Sequence, residues 1–416
     1  MDTPAASLTI DRQQSLADWH SAAKTATLPF GAVVLAATLA LAWAFGRLPY
    51  FLNAYLIAFM FCLSISLGSL FFVLAAYVSR ASWSVVVRRL AEIAAMGVAP
   101  LAILFLVILI PMLTGNHVLF RWADPSYVEA NPMVAKKTAY LNTTWFTIRA
   151  VGYFAVWALL ARFFLRNSLD QDKSGDPALT LKAERVGAVG AFFFALALTF
   201  ASFDWLMSLD ANWYSTIFGV WYFATSAVAC LAFLIIAVVM LQARGFLRNV
   251  VTVDHFHDLG KLLFGFNCFW AYISFSQYFL QWYANIPEET QWYLVRQGGA
   301  DWAAPNGWQY VALALIAFGF AIPFVGLMAR GVKRRRTALF FWACWLLAIR
   351  VVDIYFVARP EYDRNAGPTF GLIDVGCLVG LICVYLGSLF RIAANHPIVA
   401  GRDPRLAESF VAKNLI

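Results

Sequence analysis

The chain has 416 residues, 62% of them hydrophobic and only 13% charged, with a mean hydropathy of +0.70. That composition excludes a soluble globular protein and reads as an integral membrane protein. The net charge of +8 does not indicate nucleic acid as a partner, because the basic residues fall in connections and at the ends of apolar runs rather than in a soluble basic domain.

Residues 1–26 carry Asp2, Asp11, Asp18 and Lys24 before any apolar run. They lack the basic start and early apolar core of a cleavable signal peptide and read as a cytoplasmic segment. Ten runs with the length and apolarity of transmembrane helices follow: 27–46, 50–78, 88–113, 140–164, 184–207, 215–241, 259–284, 307–329, 337–357 and 369–391. The runs are too long, and too free of period-two alternation, to be strands. The expected fold is therefore an all-α membrane domain over 27–391, with a tail at 392–416. Connections on the side of the termini carry Arg80, Arg88, Arg89, Lys173, Arg244 and the cluster Lys333 to Arg336, whereas those opposite carry fewer basic residues. By the positive-inside rule both termini are expected in the cytoplasm of a bacterial inner membrane. The Trp-, Tyr- and Pro-rich loops 114–139 and 285–306 then face outward, either as interfacial anchors or as a docking surface.

A faint internal repeat relates Glu92, at the start of span 3, to Lys261, at the start of span 7. It also relates Asp204, near the end of span 5, to Asp353 in span 9. Four spans separate each pair, so the expectation is two parallel four-helix bundles, spans 2–5 (about 50–207) and 6–9 (about 215–357), with spans 1 and 10 flanking.

The six cysteines all fall in apolar runs without ligand spacing, and none of the five histidines lies mid-span. No metal, cluster or haem is therefore expected on this chain. Nucleophile motifs and nucleotide-binding fingerprints are also absent from the sequence.

The most telling run is span 7. Gly260, Asn267, Ser274 and Gln281 recur every seven residues, with Gln277 beside them. Seven residues make nearly two helical turns, so these groups form one polar stripe, about 30 Å long, along an otherwise apolar helix. His257, Asp258 and Lys261 stand at its cytoplasmic mouth. Such a stripe has no use against lipid, and ionisable groups beside it point to proton handling. The other ionisable candidates are Glu92, Asp204, and the pair Arg350 and Asp353, which share a helix face at i,i+3. Arg149, well inside span 4, demands a carboxylate that the sequence does not identify. Each of these is readable either as part of a proton path or as half of a structural ion pair.

Three segments carry a family likeness: Phe203 to Leu209 (FDWLMSL), His257 to Lys261 (HDLGK) and Gln281 to Thr290 (QWYANIPEET). They resemble the polysulfide-reductase (NrfD) type membrane subunits, and most closely the second such chain of bacterial alternative complex III, a quinol:cytochrome c oxidoreductase. The resemblance extends over essentially the whole chain. It implies two four-helix bundles and a chain without its own cofactor. Quinol is oxidised in such a complex, with iron–sulfur clusters and haem c carried by partner subunits on the outer face. It also implies a companion NrfD-type, quinol-oxidising membrane subunit, surrounding lipids and, in some assemblies, a terminal oxidase. For this chain it points to proton conduction or coupling: His257, Asp258 and Lys261 on the cytoplasmic side, Asp353 and Asp204 toward the outer side. Three alternatives stand beside it: a quinone site of its own, drawing on His117, Tyr127 or Asp204; a secondary transporter, against which the spans show no Gly/Pro-broken pairs; and a purely structural scaffold.

Overall fold

A computed structural model describes residues 22–298 and 306–411. Among them the regular elements are all helical, and nine helices are long and apolar enough to cross a membrane. The chain is a multi-pass membrane protein. The elements are α1 (Ala22–Ala44), α2 (Leu48–Val78), α3 (Val85–Ala95), α4 (Val98–Leu104), α5 (Leu106–Leu113), the short α6 (Pro125–Ala130) and α7 (Pro132–Ala135), α8 (Thr143–Ser174), α9 (Ala178–Trp205) and α10 (Phe218–Ala243). There follow α11 (Val253–Ala284), α12 (Pro287–Gln297), α13 (Trp308–Ala314), α14 (Ile322–Met328), α15 (Arg330–Arg334), α16 (Arg336–Tyr362), α17 (Leu372–Ala394) and α18 (Leu406–Val411). The run expected at 259–284 lies within α11. That helix has the length to cross a membrane, with 32 residues, but is not among the nine, because its recurring polar residues dilute its apolarity.

Helix α2 is the hub. It is apolar on every side, as a helix buried all round must be, and it packs against α3, α9, α10, α16 and α17. Its approach to α10 depends on Gly68, where any Cβ would collide with the backbone carbonyl of Ser226; small residues are what let membrane helices come this close. One set of neighbours comprises α2, α3, α4, α8 and α9; a second comprises α10, α11, α14 and α16. Helix α1 packs on α17 at the flank.

Two of the runs read as continuous helices are interrupted. The third is three pieces, α3, α4 and α5, and the carbonyls left at its breaks are taken up by neighbours. Ser66 Oγ donates to Ala94 O at 2.9 Å and Tyr55 Oη to Leu104 O at 2.9 Å. The run at 307–329 contains a π-helical stretch, Leu315–Ala321, where Trp345 Nε1 donates to Phe318 O at 2.8 Å and Asn267 Nδ2 to Gly319 O at 3.1 Å. In hydrocarbon a freed carbonyl needs such a donor, so both breaks are built in. They do not fall in corresponding members of the expected repeat.

The tail docks against the ends of several helices, defining a tail end of the molecule. Asp403 pairs with Arg88, Arg402 N donates to Asp172 Oδ1 at 3.2 Å, and His255 Nε2 lies 3.1 Å from both oxygens of Ser409. At the far end the loops interlock: Trp122 Nε1 donates to Ser208 Oγ at 3.2 Å, and Lys137 Nζ to Ala211 O at 2.7 Å. The cysteines of the apolar runs differ in burial. Cys62, Cys230 and Cys377 are buried, but Cys344 is exposed, because it lies on the face of α16 turned away from the hub.

Candidate functional site

The stripe of α11 faces inward. Gly260, Asn267, Gln277 and Gln281 are buried and Ser274 is half-buried, whereas Tyr272, Phe275, Phe279 and Tyr283 on the other side are exposed. Helical geometry alone produces this division, since the polar residues and the aromatic ones sit on opposite faces. Gly260 lies beneath Lys333, against whose side-chain carbons an added Cβ would be tight. Gln281 Oε1 accepts from Trp213 Nε1 at 3.4 Å. Between these ends the stripe is short of partners among the described residues: Asn267 Oδ1, Ser274 Oγ and Gln277 Oε1 are buried without a hydrogen bond, as is His257 Nδ1 at the mouth. A run of buried, unsatisfied polar atoms is unusual, and four on one helix mark a place where water fits the chemistry.

Asp353 sits opposite the middle of the stripe. Its Oδ2 accepts from Thr225 Oγ1 of α10 at 2.8 Å and from Trp270 Nε1 of α11 at 2.9 Å. Trp270 is one turn from Asn267 and one from Ser274, so the indole carries the carboxylate's contact into the stripe. Arg350, on the same helix as Asp353, is fully buried, with Nη1 3.5 Å from Asp353 Oδ2 and its guanidinium 3.8 Å from the Trp270 ring centroid. Among the described residues none of its three side-chain nitrogens has a hydrogen-bond partner. A buried guanidinium held by one long contact and an aromatic face has spare donors, which is the opposite of a saturated structural pair.

Asp204 of α9 provides the contrast, and it supplies the partner that Arg149 demanded. Arg149 Nε and Nη2 grip the two carboxylate oxygens at 2.8 and 2.9 Å, its Nη1 donates to Tyr140 O at 3.0 Å, and Tyr153 Oη donates to Asp204 Oδ2 at 2.8 Å. Every nitrogen of that arginine is used. The two centres have similar chemistry, a carboxylate with an arginine and an aromatic donor, but one is locked and the other is not. The arginines come from different places, α8 for Asp204 and the same helix for Asp353, which explains why sequence spacing revealed only the second pair.

The tail-end groups separate further. Lys261 is about half exposed and pairs with Asp258 at 2.7 Å, so it reaches out to the interface. Glu92, its expected counterpart, is wholly buried, accepting from Arg88 Nε at 3.3 Å and Arg89 Nε at 3.0 Å. Arg89 also binds Asp172 at 2.7 Å, and Arg88 binds Asp403. Two arginines thus face three carboxylates, Glu92, Asp172 and Asp403, which leaves Glu92 the deeply placed surplus acid. Burial pulls the Lys333 ammonium below its ordinary range, with the Lys261 charge adding to the effect.

Sequence reasoning missed a cluster at the far end. Arg364 lies 2.6 Å from Asp210 and 2.8 Å from Glu361, and Arg296 lies 3.0 Å from Glu361. Burial pushes the Asp210 carboxyl above its usual range, and Glu361 adds to the shift. Burial also draws the Arg296 guanidinium down to about 10. The i,i+3 spacing of Glu361 and Arg364 was readable in the sequence; the approach of Asp210 and Arg296 was not. Asp210 also stabilises its own turn, accepting from Asn212 N at 3.1 Å, but its ion pair is the larger role. Of the residues offered for a quinone head, Asp204 is held by Arg149 and Tyr153, while Tyr127 Oη accepts from Asn212 Nδ2 at 3.5 Å.

Among the described residues no group of three His, Cys, Asp or Glu is placed to hold a metal ion. Compared with known proteins, the chain matches no protein-family model and aligns significantly with no curated protein.

Proposed function

We propose that this chain is a proton-conducting or coupling subunit of a membrane-bound quinol:cytochrome c oxidoreductase, of the NrfD-type class that its FDWLMSL, HDLGK and QWYANIPEET segments resemble. On this reading α11 is the tenth span, both termini are cytoplasmic, and the two sets of packed helices are parallel four-helix bundles. Electrons pass through iron–sulfur and haem-c partners. This chain's task is to move a proton between the tail end and the far end of the second bundle.

The observation that carries the reading is the Arg350–Asp353 pair, buried beside a polar stripe whose acceptors lack partners. Along α11 the gap from Asn267 to Ser274 is about 10 Å, too long for direct transfer. Asp353 and Trp270 stand in that gap. A proton enters past His257, passes along water held by Asn267 and Asp353, and leaves past Ser274, Gln277 and Gln281. Arg350, with its donors unspent, stabilises the ionised carboxylate without fixing it. Glu92 belongs to the other bundle and serves as a buried acid tied to the tail rather than as a member of this path. Lys261 and Asp258 tune the mouth.

Partner identity has its own test. Tagged chain purified from its native membrane with gentle detergent is expected to bring multihaem cytochrome c and iron–sulfur subunits with it, visible by haem stain and by iron and labile sulfide content. Recovery of the isolated chain, active in substrate transport, would overturn the respiratory reading in favour of a transporter.

A further inference from the structure

At the far end, a pocket of about 690 Å³ opens between the end of α1, the start of α2, the end of α16 and the loop before α17. Its wall includes Phe45, Arg47, Tyr50, Arg359, Asp363 and Phe370. Phe45, Phe370 and the adjoining Leu372 are each exposed, so the mouth is apolar and lies where helices meet the membrane surface. The floor is polar and organised. Arg359 is 2% exposed and pairs with Asp374, which also accepts from Tyr50 Oη and from Gly371 N at 2.9 Å. Two of the Arg359 nitrogens, Nε and Nη1, have no hydrogen-bond partner among the described residues. A buried guanidinium with spare donors calls for an acceptor-only group, and phosphate oxygens are the common one at a membrane surface.

The charges decide which phosphate. Arg47 and Arg359 are balanced by Asp363 and Asp374, and Asp374 is already spent on Arg359 and Tyr50. What remains toward the mouth is one arginine, Arg47, and one carboxylate, Asp363. A purely anionic headgroup would gain from the first and be repelled by the second. We infer that this pocket binds a zwitterionic phospholipid headgroup, a phosphate diester bearing an ammonium, with the phosphate toward Arg47 and Arg359, the ammonium toward Asp363, and the acyl chains along Phe45, Phe370 and Leu372. The inference is independent of the respiratory reading.

The test uses the full-length protein, with any co-purifying subunits, delipidated in non-ionic detergent. Lipid retained per chain is measured by native mass spectrometry during titration with dioleoylphosphatidylethanolamine or dioleoylphosphatidylglycerol. One molecule of the ethanolamine lipid is expected to bind, preferred over the glycerol lipid by about fivefold, the scale of one interfacial ion pair. Asp363→Asn is expected to abolish the preference, and Arg47→Gln to weaken both lipids while leaving the melting temperature unchanged. Both substitutions are at exposed positions, so the fold is not at risk. Equal binding of both lipids to the wild type, or a preference that survives Asp363→Asn, would overturn the inference. So would displacement of the lipid by water-soluble phosphoethanolamine at equal concentration, which would make the site one for a free headgroup, or by decylubiquinone with no effect of either substitution, which would make it a quinone site.

Discussion

At the scale of single residues, the buried charges fall into two kinds, and substitutions should separate them. Among the described residues Asp204 is the sole carboxylate on Arg149, so Asp204→Asn leaves a largely buried guanidinium uncompensated. A loss of about 3 kcal/mol is expected in denaturant unfolding of the detergent-solubilised protein. Glu92 is the surplus member of its cluster, because Arg88 keeps Asp403 and Arg89 keeps Asp172. Glu92→Gln should therefore cost about 1 kcal/mol or less; a loss as large as that of Asp204→Asn would show that the third carboxylate is structural. Asp210 allows a pH test. Its carboxyl lies above its ordinary 3.8 in the folded chain, so the folded state holds the proton more tightly than the unfolded one. Its contribution to stability is greatest below 3.8 and declines as pH rises through the folded value. The difference in melting temperature between wild type and Asp210→Asn is expected to move against the wild type as pH is raised from 3.8, and a difference that stays flat over that rise would contradict the shift. The sequence exposed these residues one at a time: Arg350 with Asp353, through their spacing, was legible. The grip of Arg149 on Asp204 was not, because 55 residues separate them and only the packing of α8 on α9 unites them.

Among the elements, α11 and the run 307–329 are interdependent. The π-helical stretch leaves the Gly319 carbonyl to Asn267, so the stripe has a packing role as well as the proposed conductive one. Asn267→Leu should strand that carbonyl and cost about 1–3 kcal/mol, while Asn267→Ser, short but polar, should recover part of the loss if water can bridge. Equal destabilisation by Leu and Ser would mean that no water reaches this site and would weaken the proposed path. The stripe itself was legible from its seven-residue recurrence. The π stretch and the three-part break of the third run were not, although Gly97 and Pro100 stand at the one and Gly319 and Pro323 at the other, because glycine and proline are also tolerated inside unbroken membrane helices. Apolarity misled for α11, where the same polar residues that give the helix its interest make it less apolar than its neighbours.

For the whole molecule, composition and run length sufficed for an all-helical, multi-pass protein, and they placed most helices closely. The docking of the tail was beyond them: Asp403 and Ser409 reach Arg88 and His255 across more than a hundred residues of chain, and nothing local announces it. What the assembled molecule adds is asymmetry. One set of packed helices holds its acid in a saturated grip and closes its tail end with ion pairs; the other leaves an arginine's donors unspent beside a row of unsatisfied polar atoms. Whether the second arrangement moves protons, as proposed, is decided by reconstituting the purified complex in proteoliposomes and measuring protons translocated per electron from quinol to cytochrome c. The comparison is wild type against the Arg350→Met, Asp353→Leu double variant, in which paired removal avoids a stranded charge and keeps the fold. The expected result is quinol oxidation retained within about twofold with the proton yield from this path lost. An unchanged proton-to-electron ratio in the double variant would contradict it.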